Sequence, residues 1–383
     1  VYLGVIGFAT QFPAFLLTSV AGIYVDRWNR HRLLVATQVL MMLVSAVLAA
    51  LTLGGYITIH AIIAVSVVQG LVTAFDLPCR QAFVVSIIED RNDIGNAIAL
   101  NSSMFNAARL IGPSVAGGII AAFGEGWCFA LDGISYVAVI IALLMMRLPP
   151  HQPTASHRQS VFSQFKEGWV YVFRSPAIRS IIVLLALVSL VGVPYTVLMP
   201  VFAGDVLKGG ASTLGLLMTA SGGGALLGAL WLASRQSAAG LMRAIPFAAG
   251  AFGLGLVALS LAHSVWVAVL FMVLTGFGLM VQAATSNTVL QTIVEDEKRG
   301  RVMSFFLMAY LGSAPFGSLI AGTLSETLGV AATLGGGGLC CVAAAGWFLA
   351  RMSTFDVDLI NRRPSTVPDL DSDDPVSITS RAH

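Results

Sequence analysis

Eleven stretches of about 20 largely apolar residues follow one another along this chain, and they constrain its fold more than any other feature. At a rise of about 1.5 Å per residue, each stretch is long enough to cross the hydrocarbon core of a bilayer as an α-helix. The stretches are 2–25, 33–53, 59–77, 97–122, 127–147, 177–203, 213–233, 244–262, 266–286, 303–325 and 330–350. Charged residues make up only 10% of the chain, too few to cover the surface of a water-soluble protein. The sequence therefore predicts an all-α membrane protein.

The Lys and Arg residues are concentrated on alternate connections between these stretches. With residues 26–32 in the cytoplasm, Lys208 lies outside and Arg109 lies within a span, and the rest of the 21 Lys and Arg residues lie inside. The other predicted outer connections, near 54–58, 123–126, 263–265 and 326–329, contain neither residue type. We therefore predict a multi-pass protein with a cytoplasmic C-terminus. Its basic residues are topology signals, and we expect no nucleic-acid partner.

Matching residues recur at a separation of about 206 positions. Gly70 matches Gly276, and the IIED at 87–90 matches the IVED at 293–296; Gly112, Gly117 and Gly124 match Gly317, Gly322 and Gly329 at a separation of 205. A repeat of this length covers six spans and a linker, and an even number of spans makes the two copies parallel. Because eleven spans follow Val1, we expect that a first span is missing; the alternative is a native start on the outer side.

The repeat predicts two six-helix bundles. We place an N-terminal bundle that lacks its first helix at 1–147 and a cytoplasmic linker with an amphipathic helix at 148–176. A C-terminal bundle follows at 177–351. Residues 352–383 combine Asp with Pro and Ser and should form a disordered cytoplasmic tail.

The segment GIYVDRWNRHR at positions 22–32 contains a cluster of charged residues, which begins directly after the first apolar stretch. This segment resembles the loop motif of the major facilitator superfamily; the matching positions are Gly22, Asp26, Arg27, Arg30 and Arg32, while Asn29 and His31 replace the usual Gly and Lys or Arg. FDLPCRQAFV at 75–84 and NAIALNSSMFNAARLIGPSVAGG at 96–118 are similar to the branch that contains enterobactin exporters and macrolide efflux pumps. The resemblance covers nearly the whole chain. It implies the major facilitator fold, efflux by alternating access, and a place in the bacterial plasma (inner) membrane.

The junction motif has a physical interpretation as a latch on the cytoplasmic side. Gly22 allows two helices to approach closely, and Asp26 can accept hydrogen bonds from a helix N-terminus or an Arg. Arg27, Arg30 and Arg32 can reach carboxylates or lipid phosphates. The alternative is that these Arg residues only set the topology.

The span at 97–122 contains a row of polar residues. Ser102, Asn106, Arg109 and Pro113 share one helical face, and Arg109 lies about 18 Å from the start of the span. An Arg near mid-membrane favours a watery cavity or a carboxylate partner, although backbone carbonyls could also hold it. These residues, with Gln69 and Gln282, are our candidates for the substrate cavity.

Asp132 is the only acid well inside a predicted span, which makes it the candidate partner of Arg109 and the candidate proton carrier. A hydrated structural carboxylate is the alternative. In the family, an Arg usually precedes a Gln-Gly pair in the fourth helix, but here Ser66 precedes Gln69 and Gly70. The resemblance therefore leaves the coupling ion open.

Small residues and prolines indicate close helix packing in both copies of the repeat. The segment with Gly112, Pro113 and Gly117 resembles the antiporter motif of the superfamily, and Pro315 and Gly317 interrupt the matching span of the second copy. Simple helix packing explains the composition equally well. The four cysteines and six histidines form no spaced metal pattern, and we expect the cysteines to be small buried apolar residues.

These patterns predict a secondary transporter that exports small amphipathic compounds, such as a drug or siderophore, most simply by proton antiport. We expect a monomer in contact with membrane lipids, with no cofactor, no metal and no enzyme activity. Two alternatives remain: a lipid or lysolipid translocator, and a non-transporting membrane receptor or assembly partner.

Overall fold

The computed structural model describes residues 1–86, 94–146, 169–235 and 240–352, and within these ranges the secondary structure is helical. The predicted tail and all but the last part of the predicted linker lie outside the described residues. The helices are α1 (Tyr2–Arg27), α2 (Arg30–Leu53), α3 (Ile59–Ser86), α4 (Ile94–Phe123), α5 (Glu125–Met145), α6 (Pro176–Val206), α7 (Ala211–Ala233), α8 (Leu241–Ser260), α9 (Val265–Ile293), α10 (Asp296–Gly312), α11 (Ala314–Thr327) and α12 (Val330–Arg351). We call α1–α5 the first half and α6–α12 the second half.

Each of the eleven predicted apolar stretches coincides, over nearly all of its described residues, with one or two of these helices. Nine segments of the described residues are long and apolar enough to cross a membrane, and shorter apolar segments, Tyr2–Leu17 and Leu110–Phe123, lie on α1 and α4. The ends differ: α3 continues to Ser86, nine residues beyond its predicted end at 77, and α9 continues to Ile293. The polar residues beyond the predicted ends do not stop the helices, since backbone hydrogen bonding continues where the chain leaves the apolar layer.

Two spans are irregular. The predicted stretch at 303–325 is divided into α10 and α11 at Ser313, and Pro315 lies in the first turn of α11, where its missing N–H costs no helical hydrogen bond. The matching Pro113 lies inside α4, which is continuous. α6 contains two π-helical turns, Val188–Gly192 and Phe202–Val206. The hydroxyl of Ser189 in the first of these turns donates to the carbonyl of Tyr310 in α10.

Gly70 and Gly276, which match in the repeat, have matching packing roles. Gly70 in α3 faces α1, where a Cβ at Gly70 would overlap the carbonyl oxygen of Thr10. Gly276 in α9 faces α7, where a Cβ would overlap the carbonyl oxygen of Ser221. At both positions, only the absence of a side chain lets the two backbones approach this closely. The pair α1–α3 in the first half therefore corresponds to α7–α9 in the second.

The expectation that the cysteines are buried holds for only part of the set. Cys79 and Cys341 are buried, whereas Cys128 is partly buried and Cys340 is exposed on the outside of α12. The prediction is wrong for Cys340, because an apolar side chain of a membrane helix can face lipid as readily as the protein interior.

Candidate functional site

The two halves of the molecule meet at two seams, and the first is formed by α4 and α7. A Cβ at Gly215 would lie 2.6 Å from the carbonyl oxygen of Pro113 and 3.1 Å from the Cα of Gly117. One turn deeper, the hydroxyls of Ser114 and Thr219 are 2.6 Å apart and share a hydrogen bond. Gly117 and Gly215 are near the predicted outer ends of their helices. This seam brings backbone against backbone on the predicted outer side.

The second seam is formed by α1 and α11 at the same level. A Cβ at Gly4 would lie 2.5 Å from the carbonyl oxygen of Ser318 and 3.0 Å from the Cα of Gly322. Nearer mid-membrane, the side-chain amide of Gln11 donates to the hydroxyl of Ser318 over 3.5 Å. Beside this contact, three aromatic rings from α1 and α11 pack with centroids 4.7 to 5.9 Å apart: Phe8, Phe12 and Phe316.

Gly117 and Gly322 occupy matching positions of the repeat, and each lies at a seam. The predicted helix-packing residues are thus divided by the structure among different contacts. Gly117 and the carbonyl of Pro113 pack against α7, whereas Gly317 packs against α6 within the second half. At Gly112, no described atom lies within 4 Å of where a Cβ would be. The sequence motif did not reveal that its glycines serve separate surfaces.

The junction motif is only partly described. Gly22, Asp26 and Arg27 lie near the end of α1, but their contacts lie outside the description, so the latch stays a prediction. Asn29 caps α2, because its side-chain oxygen accepts from the backbone N–H of Arg32 at 3.1 Å. His31 Nε2 lies 2.7 Å from the carbonyl oxygen of Leu143 at the end of α5. The two residues that depart from the family motif therefore have structural roles at the start of α2.

The predicted cavity residues on α4 are also outside the described side chains: Ser102, Asn106 and Arg109. The structure shows α4 as a continuous helix through these positions. Gln69 on α3 is partly buried. Gln282 on α9 is fully buried, and among the described residues neither polar atom of its amide has a hydrogen-bond partner; the same holds for the hydroxyls of Thr285 and Ser286. In this conformation Gln282 lies within the second half.

A buried carboxylate that our sequence analysis missed lies on α3. Asp76 is 7% exposed, and its Oδ1 accepts hydrogen bonds from the hydroxyl of Thr37 at 2.8 Å and the amide of Gln38 at 2.6 Å. Its Oδ2 pairs with Arg80 at 2.7 Å, one turn along the same helix. The claim that Asp132 is the only acid well inside a span is therefore wrong. The signal was present in the Asp and Arg at i and i+4 of FDLPCRQAFV, but the predicted end at 77 placed Asp76 at the membrane edge.

We expect Asp76→Asn to destabilise the protein by about 1 to 3 kcal/mol. The amide oxygen can still accept from Thr37 and Gln38, but these hydrogen bonds lose the help of the negative charge, and the amide NH2 group then faces the guanidinium of Arg80 in place of an acceptor. Arg80→Gln should cost less, because the Arg80 side chain is 56% exposed and water can replace its partner. The free energies of unfolding of both single variants and the double variant would check this. Additive effects would contradict a coupled network.

Asp132 lies on α5 beside a groove between α4 and α5. The hydroxyl of Ser45 on α2 donates to Asp132 Oδ2 at 2.5 Å. The groove has a volume of about 520 Å³ and is lined mainly by small and apolar side chains of α4, with Asp132, Cys128 and Ser135 on the opposite wall. In the part of the chain that the structure describes, no cluster of three or more His, Cys, Asp or Glu residues could hold a metal ion.

A family model described as transmembrane secretion effector matches residues 2–374. The chain belongs to this family. The staphyloferrin A transporter and the Tap multidrug efflux pumps, which are relatives of this chain, are transporters of the major facilitator superfamily. The chain is 29% identical to the staphyloferrin A transporter of Staphylococcus aureus over 364 residues, which covers 92% of this chain and 88% of the relative. It is 24% identical to the multidrug efflux pump Tap of Mycolicibacterium fortuitum over 342 residues, 86% of this chain and 82% of the pump.

Solved structures of transporters have the same fold as this member of the secretion effector family. A variant of the nucleoside transporter NupG aligns with a TM-score of 0.73 at 12% identity, covering 92% of this chain and 90% of the transporter. A bacterial homologue of the human lysosomal transporter Spinster aligns with a TM-score of 0.63 at 16% identity, covering 95% and 91%. The predicted major facilitator fold is confirmed, and the protein is a multi-pass membrane transporter.

Proposed function

We propose that this protein exports a small amphipathic compound, a siderophore or a drug, by alternating access coupled to proton entry. The observation that supports this most is the pair of matching seams. Both join the halves near the predicted outer side through small residues, and Gly117 and Gly322 are related by the repeat. An interface of backbone contacts and few polar bonds can open by rocking of one half against the other, with little side-chain rearrangement.

The substrate class is supported by the curated relatives. One is a transporter of the siderophore staphyloferrin A and another is a multidrug efflux pump, and each alignment covers more than four fifths of both chains. Siderophores and many drugs combine an apolar body with a few polar groups. A cavity with few polar anchors would select such compounds by size and shape.

Asp132 is the carboxylate that we propose for proton coupling. Both oxygens of Asp76 are engaged by protein donors, whereas the described contact of Asp132 is with Ser45 at one oxygen, beside an open groove. Protonation of Asp132 would break fewer contacts than protonation of Asp76. The Arg that usually precedes the Gln-Gly pair in the family is absent before Gln69. Of these two carboxylates, we therefore choose Asp132 as the candidate for proton coupling.

The test is substrate-driven pH change in proteoliposomes that contain the natural full-length protein, screened with a panel of hydrophobic drugs and siderophores. We expect one compound class to move and to drive proton movement in the opposite direction, and Asp132→Asn to abolish the proton flux. Compound movement without proton flux would disprove antiport and keep export. Movement of labelled lipid or lysolipid, with no compound transported, would favour a translocator and overturn the proposal.

A further inference from the structure

Two carboxylates of the first half contact the same face of α2. Asp132 on α5 accepts from the hydroxyl of Ser45 at 2.5 Å, and Asp76 on α3 accepts from the amide of Gln38 at 2.6 Å. Ser45 and Gln38 are two turns apart on α2, so they share a face and lie about 10 Å apart along the helix axis. Because α2 runs towards the predicted outer connection near 54–58, Asp132 is nearer the outer side and Asp76 is nearer the cytoplasm.

Tyr136 lies one turn after Asp132 on α5. The turn is on the cytoplasmic side of Asp132, because α5 begins at the predicted outer connection near 123–126. The charges of Asp132, Asp76 and Arg80 all act on the phenol of Tyr136. This side chain is partly buried, and its hydroxyl has no hydrogen-bond partner among the described residues. A phenol can donate one hydrogen bond and accept another, so Tyr136 can connect the two carboxylates.

The other described groups around Asp132 do not lead towards the cytoplasm. The thiol of Cys128, which interacts electrostatically with Asp132, lies one turn nearer the predicted outer side. The hydroxyl of Ser135 donates to the backbone carbonyl of Asp132 at 2.7 Å and is therefore engaged. The side chain of Arg109 on α4 lies outside the description. Tyr136 is thus the described proton-transferring group on the inner side of Asp132.

The surroundings of Asp76 connect it to the cytoplasmic surface. Arg80, its ion-pair partner, is 56% exposed, so water reaches this pair. The other titratable groups here are Cys79 and Arg30. The thiol of Cys79 donates to the backbone carbonyl of Arg30 at 3.2 Å and is therefore engaged. A proton on Asp76 is consequently one step from cytoplasmic water.

We propose that the proton carried by Asp132 reaches the cytoplasm through Tyr136 and Asp76. The proposal rests on the proposed function, which makes Asp132 the carboxylate of proton coupling. Protonated Asp132 gives its proton to the phenol oxygen of Tyr136 while the phenol proton passes to Asp76, with bridging water where a gap exceeds a hydrogen bond. Asp76 then releases this proton to water beside Arg80. One proton moves, the phenol is neutral before and after, and rotation of its O–H bond restores the starting state.

The separation of the two carboxylates makes an intermediate group necessary. About 10 Å along α2 is more than three times the length of a hydrogen bond, so Asp132 cannot pass a proton to Asp76 directly. The two carboxylates also have different parts. Protonation of Asp76 breaks its ion pair with Arg80, so Asp76 passes the proton on and does not store it.

The test follows the protonation of Asp132 by infrared spectroscopy in proteoliposomes that hold the natural full-length protein with its cytoplasmic side outward. A caged acid releases protons outside the vesicles, and the carboxyl band that is missing in Asp132→Asn reports their arrival. We expect Tyr136→Phe, which removes only the hydroxyl, to slow this arrival about tenfold or more and to leave the final amplitude unchanged. Tyr310→Phe, at a partly buried tyrosine of α10, should keep the rate of the parent.

The possible failures of this test have different meanings. An equal rate in Tyr136→Phe and the parent would overturn the relay and leave the proposed function intact, since the proton would then reach Asp132 through the open groove. If the parent shows no band that depends on Asp132, this carboxylate takes up no proton. The proposed coupling through Asp132 is then wrong, and the relay is overturned with it.

A second variant tests the part of Asp76. Asp76→Asn should also slow the arrival of the proton at Asp132, because the amide cannot carry a proton onward from water to Tyr136. The folded fraction of this variant is isolated before the measurement. The matched control is Asp205→Asn, which removes an exposed acid of α6 in the second half and should leave the rate unchanged. An unchanged rate in Asp76→Asn would show that the proton bypasses Asp76, which would overturn the proposed path.

Discussion

Oxidation of the Ser114→Cys, Thr219→Cys double variant is expected to stop transport completely, and reduction should restore it. The two hydroxyl oxygens are 2.6 Å apart across the α4–α7 seam, so the side chains already point at each other over the short distance that a disulfide needs. The bond would hold the predicted outer side closed. Alternating access requires this side to open in every cycle, and a covalent bond cannot be broken by the energy of substrate binding.

The experiment uses a background in which the four native cysteines are replaced and activity is retained, with uptake into inverted vesicles as the readout. The matched control is the pair Gly250→Cys and Ala345→Cys, whose Cβ atoms would lie 3.8 Å apart and which joins α8 to α12 within the second half. Its cross-link should leave transport intact. If the seam variant is fully cross-linked and still transports, the α4–α7 contact is static and the proposed rocking motion is wrong.

Gly276→Ala is expected to destabilise the protein by about 1 to 3 kcal/mol or more. A methyl group at this position would overlap the carbonyl oxygen of Ser221. Neither group can rotate away, because the methyl carbon and the carbonyl are attached directly to the backbones of long helices. The overlap can be relieved only by moving α9 away from α7, which also separates their other contacts. Gly70→Ala should have a similar effect, because its methyl group would overlap the carbonyl oxygen of Thr10.

The control for these variants is Gly336→Ala in α12. A Cβ at Gly336 would have no described atom within 4 Å, and Ala is a better helix former than Gly by about 1 kcal/mol. We therefore expect this variant to be as stable as the parent or slightly more stable. Unfolding in mixed detergent micelles measures all three. Equal stability of Gly276→Ala and Gly336→Ala would show that the α7–α9 contact is not tight.

The sequence identified several residues of the candidate site, but it did not show which helices those residues contact. The sequence indicated that Gly117 and Pro113 belong to a packing motif and that Asp132 is an unusual intramembrane acid. It did not indicate that Pro113 and Gly117 contact α7 while Gly112 faces the groove, because the three residues are neighbours in the chain and differ only in helix rotation. Asp76 was missed because the predicted end at 77 placed it at the membrane edge, and because its partners Thr37 and Gln38 lie on another helix.

The sequence by itself determined the order of the apolar stretches, the repeat and the superfamily. The length of an apolar stretch and the spacing of glycines are properties of the sequence, so they can be recognised without knowing which helices contact each other. Only the tertiary structure decided which helices form the seams and how the buried carboxylate on α3 is satisfied. These contacts join residues far apart in sequence, and they depend on the rotation and depth of each helix against its neighbours, which no single segment specifies.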